Sequence, residues 1–202
     1  MTPVAKRKPR TQPPEKRRDD LMNSAENLFL KHGILGTTIE QITLGADLSK
    51  GAFYLHFASK EEVHLALSER FLSRFNDRVL NAITERAEND WSGKVIAWSE
   101  ASVDGLLEAC DLVNMLFHAQ PIPPSSGTID IVIAPLLEVL EGGSRDGAWK
   151  LDDCRFTAVF LYSGLHGVVD DALLSGRHPD RDRLLSRVEA TCRDVLAIRQ
   201  AE

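Results

Sequence analysis

Apolar residues recur along this chain at steps of three and four, and nowhere at sustained steps of two. That rhythm belongs to helices with one buried stripe, so the fold class is all-α. Leu21, Ala25, Leu28 and Phe29 mark the inward face of a helix over 15–32, closed by Gly33, which suits the left-handed position past a helix end. Thr38 with Gln41 three residues on forms a capping box, and Ile39, Ile42 and Ala46 give the short helix behind it an apolar face. Gly45, Ala46 and Asp47 supply a turn, Leu48 an apolar anchor, and Ser49 the cap of a second short helix reaching about residue 55. Ser59 and Glu62 form another box. They open a long helix at Lys60, whose stripe of Val63, Leu67, Phe71, Phe75, Val79 and Ile83 continues to about residue 88.

Further on, the pattern predicts helices over 91–109, 112–119, 128–140, 152–174 and 180–199. Pro121, Pro123 and Pro124 break the chain over 120–127, and Pro135 marks a kink or a boundary. Gly142, Gly143 and Gly147 read as a loop, and Gly176 and Pro179 join the last two helices. The first of that pair mixes large and small residues on one face: Phe156, Val159, Phe160, Ser163, Gly164, Gly167 and Val168. The second carries Leu184, Leu185, Val188, Cys192, Val195 and Leu196.

A chain of 202 residues is long enough to bury a real core. Its net charge is −6, but residues 1–18 hold seven lysines and arginines against Glu15 alone, so the remainder is more acidic than the total suggests. Residues 1–14 also contain four prolines, which predicts a disordered basic arm attracted to phosphates, ahead of an acidic body. Cys110, Cys154 and Cys192 have neither zinc nor disulfide spacing, and no metal or cofactor motif is present. The amino terminus lacks the apolar run of a signal peptide and no stretch approaches a membrane span. The expectation is a soluble, cytoplasmic protein with reduced thiols.

Two short helices joined by a tight turn make a helix-turn-helix, whose second helix enters the DNA major groove. The ordered residues Thr37 and Thr38, Ile39 and Ile42, then Leu48, Ser49, Lys50, Gly51, Phe53, Tyr54, His56 and Phe57, then Ser59, Lys60, Glu61 and Glu62 resemble the amino-terminal domain of the TetR family of transcriptional repressors. The resemblance covers about 21–67. It implies a three-helix DNA-binding domain over 15–64 and a larger helical domain over 65–202 for effector binding and dimerisation.

The same resemblance implies that Ser49 is a DNA-binding residue and that Lys50, Gly51 and Ala52 face the groove, with Lys50 a donor for guanine and Ala52 a contact for a thymine methyl. Thr38, Tyr54, His56 and Lys60 match phosphate-contacting positions, whereas Phe53 and Phe57 hold the helix in place. Asp47 stands where the family often has glycine, which puts the turn's dihedrals in question, and Glu40 lies near the groove edge.

Phe75, Trp98, Leu106, Cys110, Met115, Phe117, His118 and Tyr162 are the residues expected to line an effector pocket, suited to an apolar or aromatic molecule. Phe156, Phe160, Gly164, Gly167, Leu184, Val188 and Val195 are expected at a homodimer interface built from the last two helices. The expected partners are therefore a near-palindromic duplex operator, a small effector and a second copy of the chain. A regulator without a ligand is the competing reading. Cys110 with His118, or Cys154 with His166, would be the nucleophile and base of an enzyme, but neither spacing makes the pair adjacent on a helix.

Overall fold

The computed structural model describes residues 13–118, 128–174 and 180–197, excepting the side chains of His118, Thr128 and Leu174. The basic arm, apart from its last two residues, and the break at 120–127 lie outside that range. Among the described residues the structure is all-helical: α1 (Pro14–His32), α2 (Ile39–Gly45), α3 (Lys50–Tyr54), α4 (Lys60–Thr84), α5 (Trp91–Glu108), α6 (Cys110–Val113), a π-helical stretch (Asn114–His118), α7 (Thr128–Arg145), α8 (Cys154–Leu174) and α9 (Arg181–Val195). They form two compact units that divide between Glu69 and Arg70, within α4.

The first unit is organised by a few apolar side chains. Leu21, Met22, Ala25 and Phe29 are the buried residues of α1, with Ile42, Phe53, Phe57, Val63 and Leu67 buried elsewhere in the unit. Met22 takes the place expected of Leu28, which is half-buried. Pro14 opens α1 because the first helical position has an amide that needs no intrahelical partner. The Thr38 box is complete: Gln41 N donates to Thr38 Oγ1 at 3.2 Å and Thr38 N to Gln41 Oε1 at 2.8 Å. Gly45 closes α2 rather than turning the chain. A Cβ there would collide with Ser24, whose hydroxyl donates to the Ile42 carbonyl at 2.8 Å and fastens α1 to α2. The left-handed residue of the turn is Asp47, at φ 55°. Aspartate tolerates that region better than most side chains.

The core of the second unit includes Phe75, Val79, Trp98, Leu106, Ile133, Leu136, Leu140, Leu161 and Leu165. Pro135 is neither an end nor a boundary; it lies inside α7. Its missing N–H would leave the Ile131 carbonyl, four residues back, without a donor. Asn76 Nδ2 supplies one at 2.9 Å. Gly142 and Gly143 are helical too, contrary to the loop expected there. A Cβ at Gly142 would strike the Trp91 ring and one at Gly143 the Trp149 ring, so the two glycines admit two indoles against α7. Trp149 Nε1 donates to the Leu140 carbonyl at 2.9 Å. Of the three loop glycines, Gly147 alone has a positive φ, 78°. The helix expected over 112–119 is instead the short α6 followed by the π-helical stretch, and α9 stops at Val195. Arg181 reaches Asp104 from α9 with two hydrogen bonds, at 2.5 and 2.7 Å, and Arg78 grips Glu108 at 2.6 and 2.8 Å. Among the described residues no helix is long and apolar enough to cross a membrane.

Candidate nucleic-acid interface and effector cavity

α3 is five residues long and is held by its cap and its aromatic anchors. Ser49 Oγ accepts from Ala52 N at 3.2 Å. Phe53 and Phe57 are buried, their rings 5.9 Å apart, and Arg18 lies over the Phe57 ring at 5.1 Å. With that side sealed, Lys50, Gly51 and Tyr54 are exposed, and Ala52 and His56 half-buried. Tyr54 keeps 52% of its surface in solvent while its ring sits edge-on to Phe53 at 5.5 Å. Thr38 is exposed at the start of α2.

Two lysines have partners that local spacing does not reveal. Lys50 Nζ donates to Glu40 Oε1 at 2.5 Å. That hydrogen bond holds the Glu40 carboxyl below its ordinary range, ahead of backbone and Coulombic effects, and raises the Lys50 ammonium. Lys60 Nζ donates to the carbonyls of Ile34 at 2.8 Å and Thr37 at 2.5 Å. Lys60 thus ties down the connection between α1 and α2, leaving one of its three N–H groups for a phosphate. At the start of α4 the Ser59 box is offset: Ser59 Oγ accepts from Glu62 N at 3.3 Å, but the Glu62 carboxylate accepts from Ala58 N, one residue earlier than in a regular box.

In the second unit, Phe71, Leu72, Phe75, Leu106, Val113, Phe117, Val132, Tyr162 and His166 line a cavity of about 210 Å³. Aromatic rings dominate it. Phe71 lies 6.0 Å from Phe75 and 5.9 Å from Phe117, and Tyr162 lies 4.3 Å from His166. Burial, followed by the negative charge of Asp170, pushes the Tyr162 hydroxyl up to about 12. Of the expected lining, Phe75, Leu106, Phe117 and Tyr162 are present. Trp98 and Met115 are instead buried in packing, Cys110 is half-buried beside Asp111 off the lining, and the His118 side chain lies outside the described residues. His166, absent from the expected lining, also borders the cavity; it stands four residues from Tyr162 and so on the same helical face.

On α8, Phe156 and Phe160 are 69% and 54% exposed and stacked at 6.4 Å, and Gly164 and Gly167 are bare. Between α8 and α9 runs a groove of about 490 Å³, lined in part by Phe160, Gly164, Val168, Leu184 and Arg187. Val195 is exposed, Leu184 half-buried, and Val188 buried within the subunit on the wall of this groove.

The family profile "Bacterial regulatory proteins, tetR family" matches residues 21–67, which contain the α1 stripe, the turn and α3. Over residues 21–67 the chain matches the TetR family. It is 25% identical over 103 residues to the transcriptional repressor NemR of Escherichia coli K12, covering 48% of this chain and 51% of NemR. The chain spans between 22% and 60% of the length of the curated relatives it matches. Its fold superposes on the fatty acid degradation regulator FadR from Bacillus halodurans with a TM-score of 0.74 at 20% identity, over 90% of this chain and 95% of FadR. The SmeT–triclosan complex gives 0.68 at 20% identity, over 87% of this chain and 91% of SmeT. At such identities the structures share the TetR fold, and nothing about ligands follows.

Proposed function

We propose that this TetR-family chain is a cytoplasmic transcriptional repressor, not an enzyme. It binds a near-palindromic duplex operator as a homodimer and releases it when a small apolar or aromatic effector fills the second-unit cavity. The observation that carries the reading is α3 itself, a capped helix sealed by Phe53 and Phe57 that leaves Lys50 and Tyr54 exposed. One such helix reads few bases, and each mismatch costs only about 1–3 kcal/mol. Two heads on a two-fold axis supply the missing discrimination. The exposed Phe156 and Phe160 beside bare glycines on α8 support a second copy packing there.

An open cavity favours an effector-bound switch over a regulator without one. Its about 210 Å³ exceeds the roughly 150 Å³ in which an apolar cavity holds benzene, so a substituted single ring fits. Triclosan, bound by the SmeT neighbour, carries two rings and would require the cavity to widen. The ligand acts by preferring a form whose heads are wrongly spaced for the operator. Because α4 begins at Lys60 and carries Phe75 into the cavity wall, a shift there is transmitted along one helix.

The test uses the full chain. Footprinting on duplex upstream of its own gene should show a protected inverted repeat, and light scattering should give a dimer. A Cβ at Gly164 would meet nothing within 4 Å, and Gly164→Leu should yield a helical monomer that has lost the operator. A monomeric variant that still protects the site would defeat the dimer reading. Titration with phenols and short fatty acids, followed by tryptophan fluorescence and DNA release, tests the cavity. Release without loss on cavity filling by Val132→Phe would place the effector elsewhere.

A further inference from the structure

Glu40 lies in the first turn of α2 and Lys50 is the first residue of α3. Their side chains meet across the helix-turn-helix at 2.5 Å although each is more than half exposed, at 63% and 55%. A pair so wet adds little to folding. Its weight falls on what α3 offers to DNA, because Lys50 is the only charged residue of that helix.

An ammonium donates only and an ionised carboxylate accepts only. Alone, Lys50 would serve a phosphate and a guanine alike. Paired with Glu40 it is neutralised against the phosphate backbone, yet it presents a donor beside an acceptor. In the major groove guanine O6 and N7 accept and the cytosine N4 amino group donates, so donor beside acceptor complements a G·C pair or adjacent G and C. Phosphates offer acceptors only, and Glu40 repels them. In an A·T pair adenine N7 and thymine O4 stand as single acceptors on either side of the N6 amino group, a poorer match for the lysine than the two adjacent acceptors of guanine.

We infer that Glu40 is a specificity-determining residue of the reading head: it holds Lys50 away from the phosphates and accepts from a cytosine amino group while Lys50 donates to guanine. The inference rests on the DNA-binding function proposed above.

The experiment compares full-length wild type, Glu40→Gln and Lys50→Met in selection from random duplexes. It also measures their affinity for a 30-bp scrambled duplex over a series of salt concentrations. Wild type should select a fixed G·C pair in each half-site. Glu40→Gln keeps its shape but frees the lysine. It should bind the scrambled duplex several-fold tighter at low salt, steepen the log–log salt slope by about 0.9 per head, and lose about tenfold discrimination at that pair. Lys50→Met should lose the guanine preference without steepening the slope. Melting temperatures of the variants should stay within a degree of wild type. If Glu40→Gln selects the same pair with an unchanged slope, or binds scrambled DNA more weakly, the inference is wrong while the DNA-binding reading stands. If wild type binds no duplex at low salt, the proposed function falls and takes this inference with it.

Discussion

Lys60→Met separates two uses of one ammonium. Methionine keeps most of the aliphatic stem and removes the charge. In wild type, Lys60 Nζ donates to Ile34 O and Thr37 O, 26 and 23 residues earlier in the chain. The side chains flanking those carbonyls are buried: Ile34 is 5% and Thr37 1% exposed, and Thr37 Oγ1 donates to Gly33 O at 2.9 Å. Removing the ammonium strips a shared donor from both. Hydrogen bonds from a charged group contribute about 1.5–3 kcal/mol each when protected. Lys60 is half-buried, so water replaces part of the loss, and about 2 kcal/mol for the pair is the expected cost. For a chain of this length that corresponds to a fall in Tm of about 4–8 °C. Calorimetry beside Tyr54→Ala is the assay. The exposed Tyr54 variant should melt within a degree of wild type and still bind DNA more weakly. If Lys60→Met melts with wild type and loses tenfold in DNA affinity, the ammonium acts on phosphate alone and the structural argument fails.

Four further outcomes follow from the second unit. Asn76→Leu should cost about 1–3 kcal/mol by orphaning the Ile131 carbonyl. Adding Pro135→Ala should recover part of that loss by restoring the helical N–H, and a double-mutant cycle on Tm reads the coupling. Gly143→Ala gains about 1 kcal/mol of helix propensity, yet should lower Tm and alter near-ultraviolet circular dichroism, because its Cβ would collide with the Trp149 ring. Burial, chiefly, raises the Cys192 thiol to about 12, so at pH 8 native protein should resist alkylation there and react only once unfolded. The folded state then keeps protons on Cys192 and Tyr162 that the unfolded chain releases above its ordinary thiol and phenol values. Stability should therefore fall as pH rises from about 9 and level off near 12, and Cys192→Val should lessen the fall.

What the sequence disclosed about the reading head is what neighbours within four residues determine. The Thr38 box and the Ser49 cap each close over three residues, and their spacing is visible in the text of the chain. Gly45 misleads for the opposite reason. Its lack of a side chain answers to Ser24, which approaches from α1, so the left-handed burden passes to Asp47. Lys60 and Glu40 carry the same lesson. Each is polar and near a cap, but what each ammonium or carboxylate faces is decided by residues ten or more positions away.

In the second unit, apolar spacing told which residues point inward without telling whether a neighbour fills the space they point into. Trp98 and Tyr162 are both large side chains on inward stripes. Trp98 is enclosed on all sides, whereas Tyr162 faces a gap bordered by α4, α5, α6, the π-helical stretch and α7. That gap depends on the summed volumes of residues on six elements, a quantity no single periodicity contains. Pro135, Gly142 and Gly143 show the converse. Each is a helix breaker by propensity, and each stands inside α7 because a tertiary group meets its deficit: an amide for the orphaned carbonyl, an indole for each missing side chain. Local rules therefore fail here where a distant residue has been matched to the defect. Asn76, Trp91 and Trp149 become the positions whose substitution should destabilise a helix to which they do not belong.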